Sequence, residues 1–118
     1  MTIDHAAVRV SNLDESIAFY RDLFGYEPVE RFERSDTVSD TFLGIGDDAA
    51  IQLVETDEPV EPTDGGHLGL SVDDVDAAVA GLDDGRVHRR PETLDELGIR
   101  IAFVEDPDGH VLELLEPV

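Results

Sequence analysis

The sequence contains no cysteine and no lysine. The absence of cysteine excludes disulfides, thiolate nucleophiles and zinc sites built on thiolates. The sequence also has no apolar run long enough to span a bilayer. Its N-terminus lacks the charged and then apolar layout of a secretion signal. We therefore expect a cytoplasmic protein without a membrane partner.

The charge is strongly one-sided. All eight basic side chains are arginines, and they stand against 29 acids, which gives a net charge of −21. The acids are spread over the chain, as in Asp47-Asp48 and Asp83-Asp84, whereas an acidic interaction module would concentrate them in a tail. Such a field repels nucleic acid, which we do not expect as a partner. Because self-repulsion must be screened by salt, we interpret the composition as adaptation to the cytoplasm of an extreme halophile.

The chain of 118 residues repeats itself once. Residues 5–17 match residues 67–79 at an offset of 62, and residues 51–55 match residues 112–116 at an offset of 61. His5 therefore aligns with His67, and Gln52 aligns with Glu113. Paired nitrogen and oxygen ligands of this kind suggest one shared divalent-metal site near a pseudo-twofold axis.

The periodicity of each copy predicts the element order βαβββ. In the first copy we predict strands over residues 3–10, 26–32, 37–45 and 49–55 and a helix over residues 13–24. In the second copy we predict strands over residues 67–72, 86–89, 99–105 and 110–115 and a helix over residues 75–82. The fold class is thus α+β, with curved and largely antiparallel sheets. Residues 1–118 form one domain, made of a first module (1–56), a linker (57–66) and a second module (67–118).

Strand parity sets the candidate ligands apart from the core. By the two-residue period of a strand, His5 and Arg9 share one face, opposite the aliphatic residues of their strand. The same parity places Gln52, His67 and Glu113 opposite their aliphatic neighbours. An unpaired carboxylate between two leucines is costly, which favours Glu113 as a metal ligand and base. Gln52 could instead be an ordinary buried amide, and Arg9 could simply pair with an acid.

Three segments carry a family resemblance that covers nearly the whole chain. They are His5-Ala6-Ala7-Val8-Arg9-Val10 with Ser16-Ile17-Ala18-Phe19-Tyr20, then Gly66-His67-Leu68-Gly69-Leu70-Ser71-Val72-Asp73, and Ala102-Phe103-Val104-Glu105-Asp106-Pro107-Asp108-Gly109-His110 with Leu112-Glu113-Leu114. These motifs resemble the vicinal-oxygen-chelate superfamily, also called the glyoxalase, bleomycin-resistance and dioxygenase superfamily. Within it, the chain looks most like glyoxalase I.

The resemblance implies a metal enzyme. It places the metal ligands at His5, Gln52, His67 and Glu113, the proton-transferring base at Glu113, and a substrate carboxylate at Arg9. It implies one divalent ion per site, nickel or zinc foremost, with cobalt, manganese or iron as alternatives. The implied reaction is enediolate proton transfer on the hemithioacetal of a 2-oxoaldehyde and a thiol, in a homodimer. Glyoxalase I itself carries glutamate where this chain has Gln52.

Other members of the superfamily provide alternative functions. A ligand set of two histidines, glutamine and glutamate resembles methylmalonyl-CoA epimerase. His5, His67 and Glu113 alone form the two-histidine, one-carboxylate set of an Fe(II) extradiol-type dioxygenase. A metal-free protein that sequesters drugs is the non-enzymatic alternative, and thiol transfer to fosfomycin is a further one. Metal analysis separates the binding protein from the enzymes.

Overall fold

The computed structural model describes residues 3–44, 49–62 and 66–118. The chain divides into two compact units, Met1–Glu61 and Pro62–Val118. The first contains β1 (His5–Val10), α1 (Leu13–Phe24), β2 (Glu27–Glu33), β3 (Val38–Gly44) and β4 (Ala50–Thr56). The second contains β5 (Leu68–Ser71), α2 (Val75–Ala80), a 3-10 turn (Asp84–Arg86), β6 (Val87–Leu94), β7 (Ile99–Glu105) and β8 (Val111–Pro117). The predicted βαβββ order is confirmed in both units.

Each unit builds a four-stranded sheet of the same topology. The strand orders are β1-β4-β3-β2 and β5-β8-β7-β6. The first strand of each unit runs parallel to the last, and the other neighbours are antiparallel. Ala7 lies opposite Gln52 in the first sheet, and Gly69 lies opposite Glu113 in the second. The prediction of largely antiparallel sheets in an α+β fold is confirmed.

Some boundaries differ from those predicted. Strand β6 continues to Leu94, five residues beyond its predicted end at residue 89. Two register shifts near Arg89 interrupt the alternation of a regular strand, which is why the sequence pattern did not predict this length. His67 directly precedes β5 instead of opening it. Helix α2 ends at Ala80, two residues early, where Gly81 follows. The predicted end of β3 at residue 45 and residues 63–65 of the predicted linker lie outside the described residues.

Helix α1 has well-defined ends. The side chain of Asn12 accepts a hydrogen bond of 3.0 Å from the backbone N–H of Glu15. Gly25 takes a left-handed conformation, with φ of 75°, and its N–H donates to the carbonyl of Arg21. Such caps satisfy backbone groups that a helix end leaves unpaired. Among the described residues, no helix has the length and hydropathy needed to cross a membrane.

A glutamate from the last strand of each unit binds the start of that unit's helix. The backbone N–H of Leu13 donates to Glu55 Oε2 at 3.1 Å, and that of Val75 donates to Glu116 Oε1 at 2.9 Å. The two glutamates occupy matching positions of the repeat. A carboxylate at a helix N-terminus is stabilising, so these bonds tie each helix to its own sheet.

The helix side of each sheet forms a core. Its fully or nearly fully buried aliphatic strand residues are Val10, Leu43, Ile51 and Leu53 in the first unit and Ala102, Val104, Leu112 and Leu114 in the second. On β4 and β8, Gln52 and Glu113 lie between these leucines and isoleucines and are only partly buried. The predicted parity, with aliphatic residues on one face and polar residues on the other, is therefore confirmed for these strands.

Candidate functional site

In the second unit, two of the predicted ligands lie side by side. His67 Nε2 is 3.2 Å from Glu113 Oε1. Both side chains remain partly accessible, with 44% of His67 and 21% of Glu113 exposed. Two ligand atoms bound to one ion at about 2.1 Å, with an angle of roughly 90–110°, lie about 3.0–3.4 Å apart. The observed separation therefore fits shared coordination of a metal.

Both predicted histidine ligands make the same aromatic contact. The ring of His67 meets Phe103 edge to face, with centroids 5.4 Å apart and planes at 81°. The ring of His5 meets Phe42 in the same way, at 5.5 Å and 83°. Each phenylalanine stands on the strand next to Gln52 or Glu113, directly opposite that residue in the register. The two halves of the repeat thus orient their histidines by equivalent packing.

His5 is also held through its other ring nitrogen. Its Nδ1 lies 2.8 Å from Asp4 Oδ2, which leaves Nε2 as the atom able to bind a metal. A carboxylate on the far nitrogen of a histidine ligand fixes the tautomer and raises the basicity of the binding nitrogen. The pairing therefore suits the role that was predicted for His5.

Gln52 forms a hydrogen bond with a buried carboxylate. Its Nε2 donates a hydrogen bond of 2.9 Å to Asp40 Oδ1. Asp40 is only 6% exposed. Arg34 donates two hydrogen bonds to its carboxylate, and the one from Nε to Oδ2 measures 2.8 Å. The hydrogen bond from Arg34, helped by the one from Gln52, lowers the pKa of Asp40 although burial opposes the shift. The amide oxygen of Gln52 is thus the end left for a ligand.

Arg9 follows His5 along the same strand face. Its Nη1 lies 3.7 Å from Glu58 Oε2, and 62% of the arginine side chain is exposed. Ion pairs between such exposed groups contribute little to stability. The contact supports the alternative that Arg9 simply pairs with an acid. The exposed guanidinium of Arg9 is also within reach of an incoming carboxylate.

A cluster of three acids lies elsewhere in the second unit. Asp74, Asp76 and Glu116 offer oxygens within 4.8 Å of one another. Asp74 and Glu116 accept backbone N–H groups in the first turn of α2, and Arg100 holds Asp76 by two hydrogen bonds of 2.7 and 2.9 Å. Helix capping and an ion pair account for the cluster, and it shares no residue with the predicted ligand set.

The predicted ligands form a donor set that suits a divalent metal. Two imidazole nitrogens, one carboxylate and one amide oxygen are ligands that zinc, nickel, cobalt, manganese and iron accept. Within the described residues of the second unit, the fold brings His67 and Glu113 together. In the first unit it places His5 and Gln52 on one sheet face, each with its own support from Asp4 and Asp40.

Five supporting residues of the site were not predicted from the sequence, namely Asp4, Arg34, Asp40, Phe42 and Phe103. Phe42 and Phe103 are separated by the same 61 positions as Gln52 and Glu113, so extending the repeat by one strand would have identified both. Asp40 breaks the repeat, because Ile101 stands at its matching position. An acid that interrupts an internal repeat inside a strand is the signal that could have found it.

Comparison with known proteins gives a consistent result. Residues 2–114 match the model of the Glyoxalase/Bleomycin resistance protein/Dioxygenase superfamily. A probable lactoylglutathione lyase from Synechocystis sp. is 33% identical over 125 residues, an alignment that covers 98% of this chain and 95% of the relative.

Two solved structures of glyoxalase I resemble the fold. The trypanothione-dependent glyoxalase I of Leishmania major has a TM-score of 0.76 and 30% identity, covering 98% of this chain and 86% of its own. The glyoxalase I of Zea mays has a TM-score of 0.80 and 28% identity over 98% of this chain. This chain spans only 44% of the maize chain.

Proposed function

Because the chain belongs to the Glyoxalase/Bleomycin resistance protein/Dioxygenase superfamily, we propose that it is a divalent-metal-dependent lyase of the glyoxalase I type. Its substrate would be the hemithioacetal that a 2-oxoaldehyde forms with a thiol. The observation that carries the proposal is the contact of 3.2 Å between His67 Nε2 and Glu113 Oε1. The matching residues His5 and Gln52 lie on the equivalent face of the first unit's sheet.

In this proposal, His5, Gln52, His67 and Glu113 hold one divalent ion, nickel or zinc by preference, or else cobalt, manganese or iron. When bound, the ion supplies a Lewis acid that draws electron density from the substrate oxygens. The protein supplies ligands that are already oriented. Asp4 sets the binding nitrogen of His5.

Glu113 is proposed as the catalytic base. It is the sole carboxylate among the four proposed ligands, and it is partly exposed, so a substrate carbon can approach it. Its carboxylate would take a proton from one carbon of the substrate and return it to the neighbouring carbon. Gln52 cannot share this role, because a side-chain amide neither takes up nor releases a proton near neutral pH.

Arg9 is proposed to bind a carboxylate of the thiol part of the substrate. The guanidinium would exchange its exposed partner Glu58 for that carboxylate. The proposal therefore favours a small thiol that carries an acidic group. Lactoylglutathione lyase is named for a glutathione adduct, whereas the Leishmania enzyme is trypanothione-dependent. Relatives thus differ in their thiol, and the choice made by this chain has to be assayed.

We also propose that the protein is a cytoplasmic homodimer. Strand β2 is an edge strand whose seven residues are all exposed. Val29 and Phe32 on this strand are 63% and 52% exposed. Exposed apolar side chains on a sheet edge favour association with a second chain, which would cover them.

Epimerisation is the second candidate function. The amide at Gln52, in place of a carboxylate, matches the ligand set of methylmalonyl-CoA epimerase. The hydrogen bond to Asp40 uses the amide nitrogen of Gln52, so its oxygen is available as a ligand in this chain. Both reactions move a proton beside a carbonyl, so they differ in the substrate rather than in the base.

The decisive experiment combines metal analysis with an activity assay. The protein is purified in molar KCl and its metals are quantified. Methylglyoxal is supplied with glutathione and with other small thiols, and methylmalonyl-CoA is supplied in a parallel assay. Thioester formation that chelation abolishes and Ni²⁺ or Zn²⁺ restores supports the proposal. A metal-loaded protein that turns over no hemithioacetal but epimerises an acyl-CoA supports the second candidate. Failure to bind any divalent metal contradicts both and supports a binding protein.

A further inference from the structure

The first unit contains a carboxylate that the repeat does not account for. Gln52 and Glu113 are matching residues, so the first unit lacks the carboxylate that the second unit has at this position. It has one on the neighbouring strand instead, where Asp40 replaces the isoleucine found at the matching position 101. Asp40 Oδ1 lies 2.9 Å from the amide nitrogen of Gln52.

We propose that Asp40, held by Arg34, is a positioning residue that turns the Gln52 amide so that its oxygen, Oε1, faces the metal. The inference rests on the proposed function, because it takes Gln52 to be a ligand. Asp40 itself would not touch the metal or the substrate.

An amide can bind a cation through only one of its two ends. The oxygen of Gln52 is a ligand for a metal, whereas its NH₂ group is a donor and repels a cation. A carboxylate can only accept hydrogen bonds, so Asp40 selects the orientation in which the NH₂ group of Gln52 points towards Asp40. The amide oxygen of Gln52 then points away from Asp40 even before a metal binds.

Arg34 makes it possible to keep this carboxylate buried. A buried acid without a partner would carry a high desolvation cost, and the two hydrogen bonds from Arg34 compensate it. The tight turn between β2 and β3 brings the arginine into place, because the N–H of Arg34 donates to the carbonyl of Val38 at 2.9 Å. The pair Arg34 and Asp40 therefore forms a fixed support.

The hydrogen bond between Asp40 and Gln52 also means that a substitution at one of these positions changes which residue is favourable at the other. With Asp40 present, a Gln52→Glu substitution would set two carboxylates against each other where a hydrogen bond of 2.9 Å now lies. The exchange Asp40→Asn with Gln52→Glu keeps one carboxylate, one amide and the net charge. The introduced asparagine would donate to the introduced glutamate, while Arg34 keeps an oxygen to bind.

The first test measures Zn²⁺ affinity in molar KCl by chelator competition. Asp40→Ile introduces the residue of the matching position 101 and removes the acceptor for the amide, so the Zn²⁺ Kd should rise about 10–100-fold. Asp76→Ile is the matched control, because it breaks the two-bond pair with Arg100 in the second unit. Its Zn²⁺ Kd should stay within about twofold of wild type.

Two further readouts separate positioning from a general loss of structure. Asp40→Asn is close to isosteric, and Arg34 would take the asparagine oxygen and leave its NH₂ to face Gln52, turning the amide the wrong way. Its Zn²⁺ Kd should therefore also rise about 10–100-fold without a collapse in Tm. The visible absorption of bound Co²⁺, which reports coordination number, should change with it.

The double substitution completes the test. Gln52→Glu alone should weaken Zn²⁺ binding, and adding Asp40→Asn should return the Kd to the wild-type value or below. The positioning role is wrong if both Asp40 variants bind Zn²⁺ as tightly as wild type, or if Gln52→Glu alone binds as tightly as the double variant. If wild type binds no Zn²⁺, Ni²⁺ or Co²⁺, the proposed function fails, and the inference fails with it.

Discussion

Glu113 and His67 meet across 3.2 Å although 46 positions separate them in the chain. The parallel pairing of β5 with β8 creates this contact, since it sets the start of β5 beside Glu113. A carboxylate and an imidazole placed in this way can share a metal, and the carboxylate can also move a proton.

We therefore expect Glu113→Gln to lower kcat by about 10²–10⁴-fold at matched metal occupancy. The amide keeps an oxygen ligand but loses the base. Steady-state rates with methylglyoxal and the active thiol, normalised to bound metal, measure the effect. Glu105→Gln is a suitable control, because it removes the carboxylate of another exposed histidine–glutamate pair, in which Glu105 Oε2 lies 2.7 Å from His88 Nε2. Near-normal turnover of a fully metallated Glu113→Gln variant would place the base elsewhere.

Arg9 gives a prediction about substrate binding rather than chemistry. Arg9→Ala should raise KM for hemithioacetals of carboxylate-bearing thiols and leave kcat within about threefold, since the contact proposed for Arg9 is to the thiol part of the substrate and not to the reacting carbons. Hemithioacetals of thiols without a carboxylate should show the same KM with both proteins. Equal KM increases for both thiol classes would contradict recognition of a carboxylate.

Salt should control the stability of the fold. With 29 acids and a net charge of −21, repulsion dominates at low ionic strength and fades as the Debye length falls from about 10 Å at 0.1 M to about 3 Å at 1 M salt. Tm should therefore rise steeply between dilute buffer and molar KCl. Sucrose, which does not screen charge, is the control solute. A Tm that is flat across the KCl series would contradict adaptation to high salt.

Much of the fold could be predicted from the sequence, because the internal repeat and the strand parity are local patterns. The faces of Gln52 and Glu113 follow from strand periodicity, and the bounds of α1 follow from helical periodicity together with the capping residues Asn12 and Gly25. The length of β6 could not be predicted in this way, since its register shifts near Arg89 depend on pairing with β7.

The support around the site was harder to predict. The contact between Asp40 and Gln52 joins neighbouring strands, and it depends on a register that the sequence does not state. The turn that brings Arg34 to Asp40 also becomes apparent only in three dimensions. The repeat identifies the candidate ligands and the phenylalanines that pack on their histidines. Asp40, which contacts Gln52, and Arg34, which contacts Asp40, stand where the repeat is broken.

The glutamate caps predict a shared stability effect. Glu116→Gln and Glu55→Gln each replace a carboxylate that accepts the first N–H of a helix. Each should lower the free energy of unfolding by about 0.5–2 kcal/mol in molar KCl, because a charged cap is lost at a positive helix end. Glu27→Gln, on the exposed strand β2, is the control for removing one negative charge. Equal effects of all three substitutions would show that the caps contribute nothing beyond charge.

The pair of Arg100 with Asp76 predicts how stability changes in acid. Hydrogen bonds from Arg100, with its charge assisting, lower the pKa of Asp76 in the folded protein. The pair's contribution is therefore complete above the ordinary aspartate pKa of about 3.9 and is lost as the pH falls through the lower folded value. The stability difference between wild type and Asp76→Asn should be constant from about pH 7 to pH 5 and shrink below about pH 4. Urea unfolding of both proteins across this range, in molar KCl, measures it. A difference that persists unchanged to about pH 2 would mean that the folded protein does not favour the ionised form of Asp76.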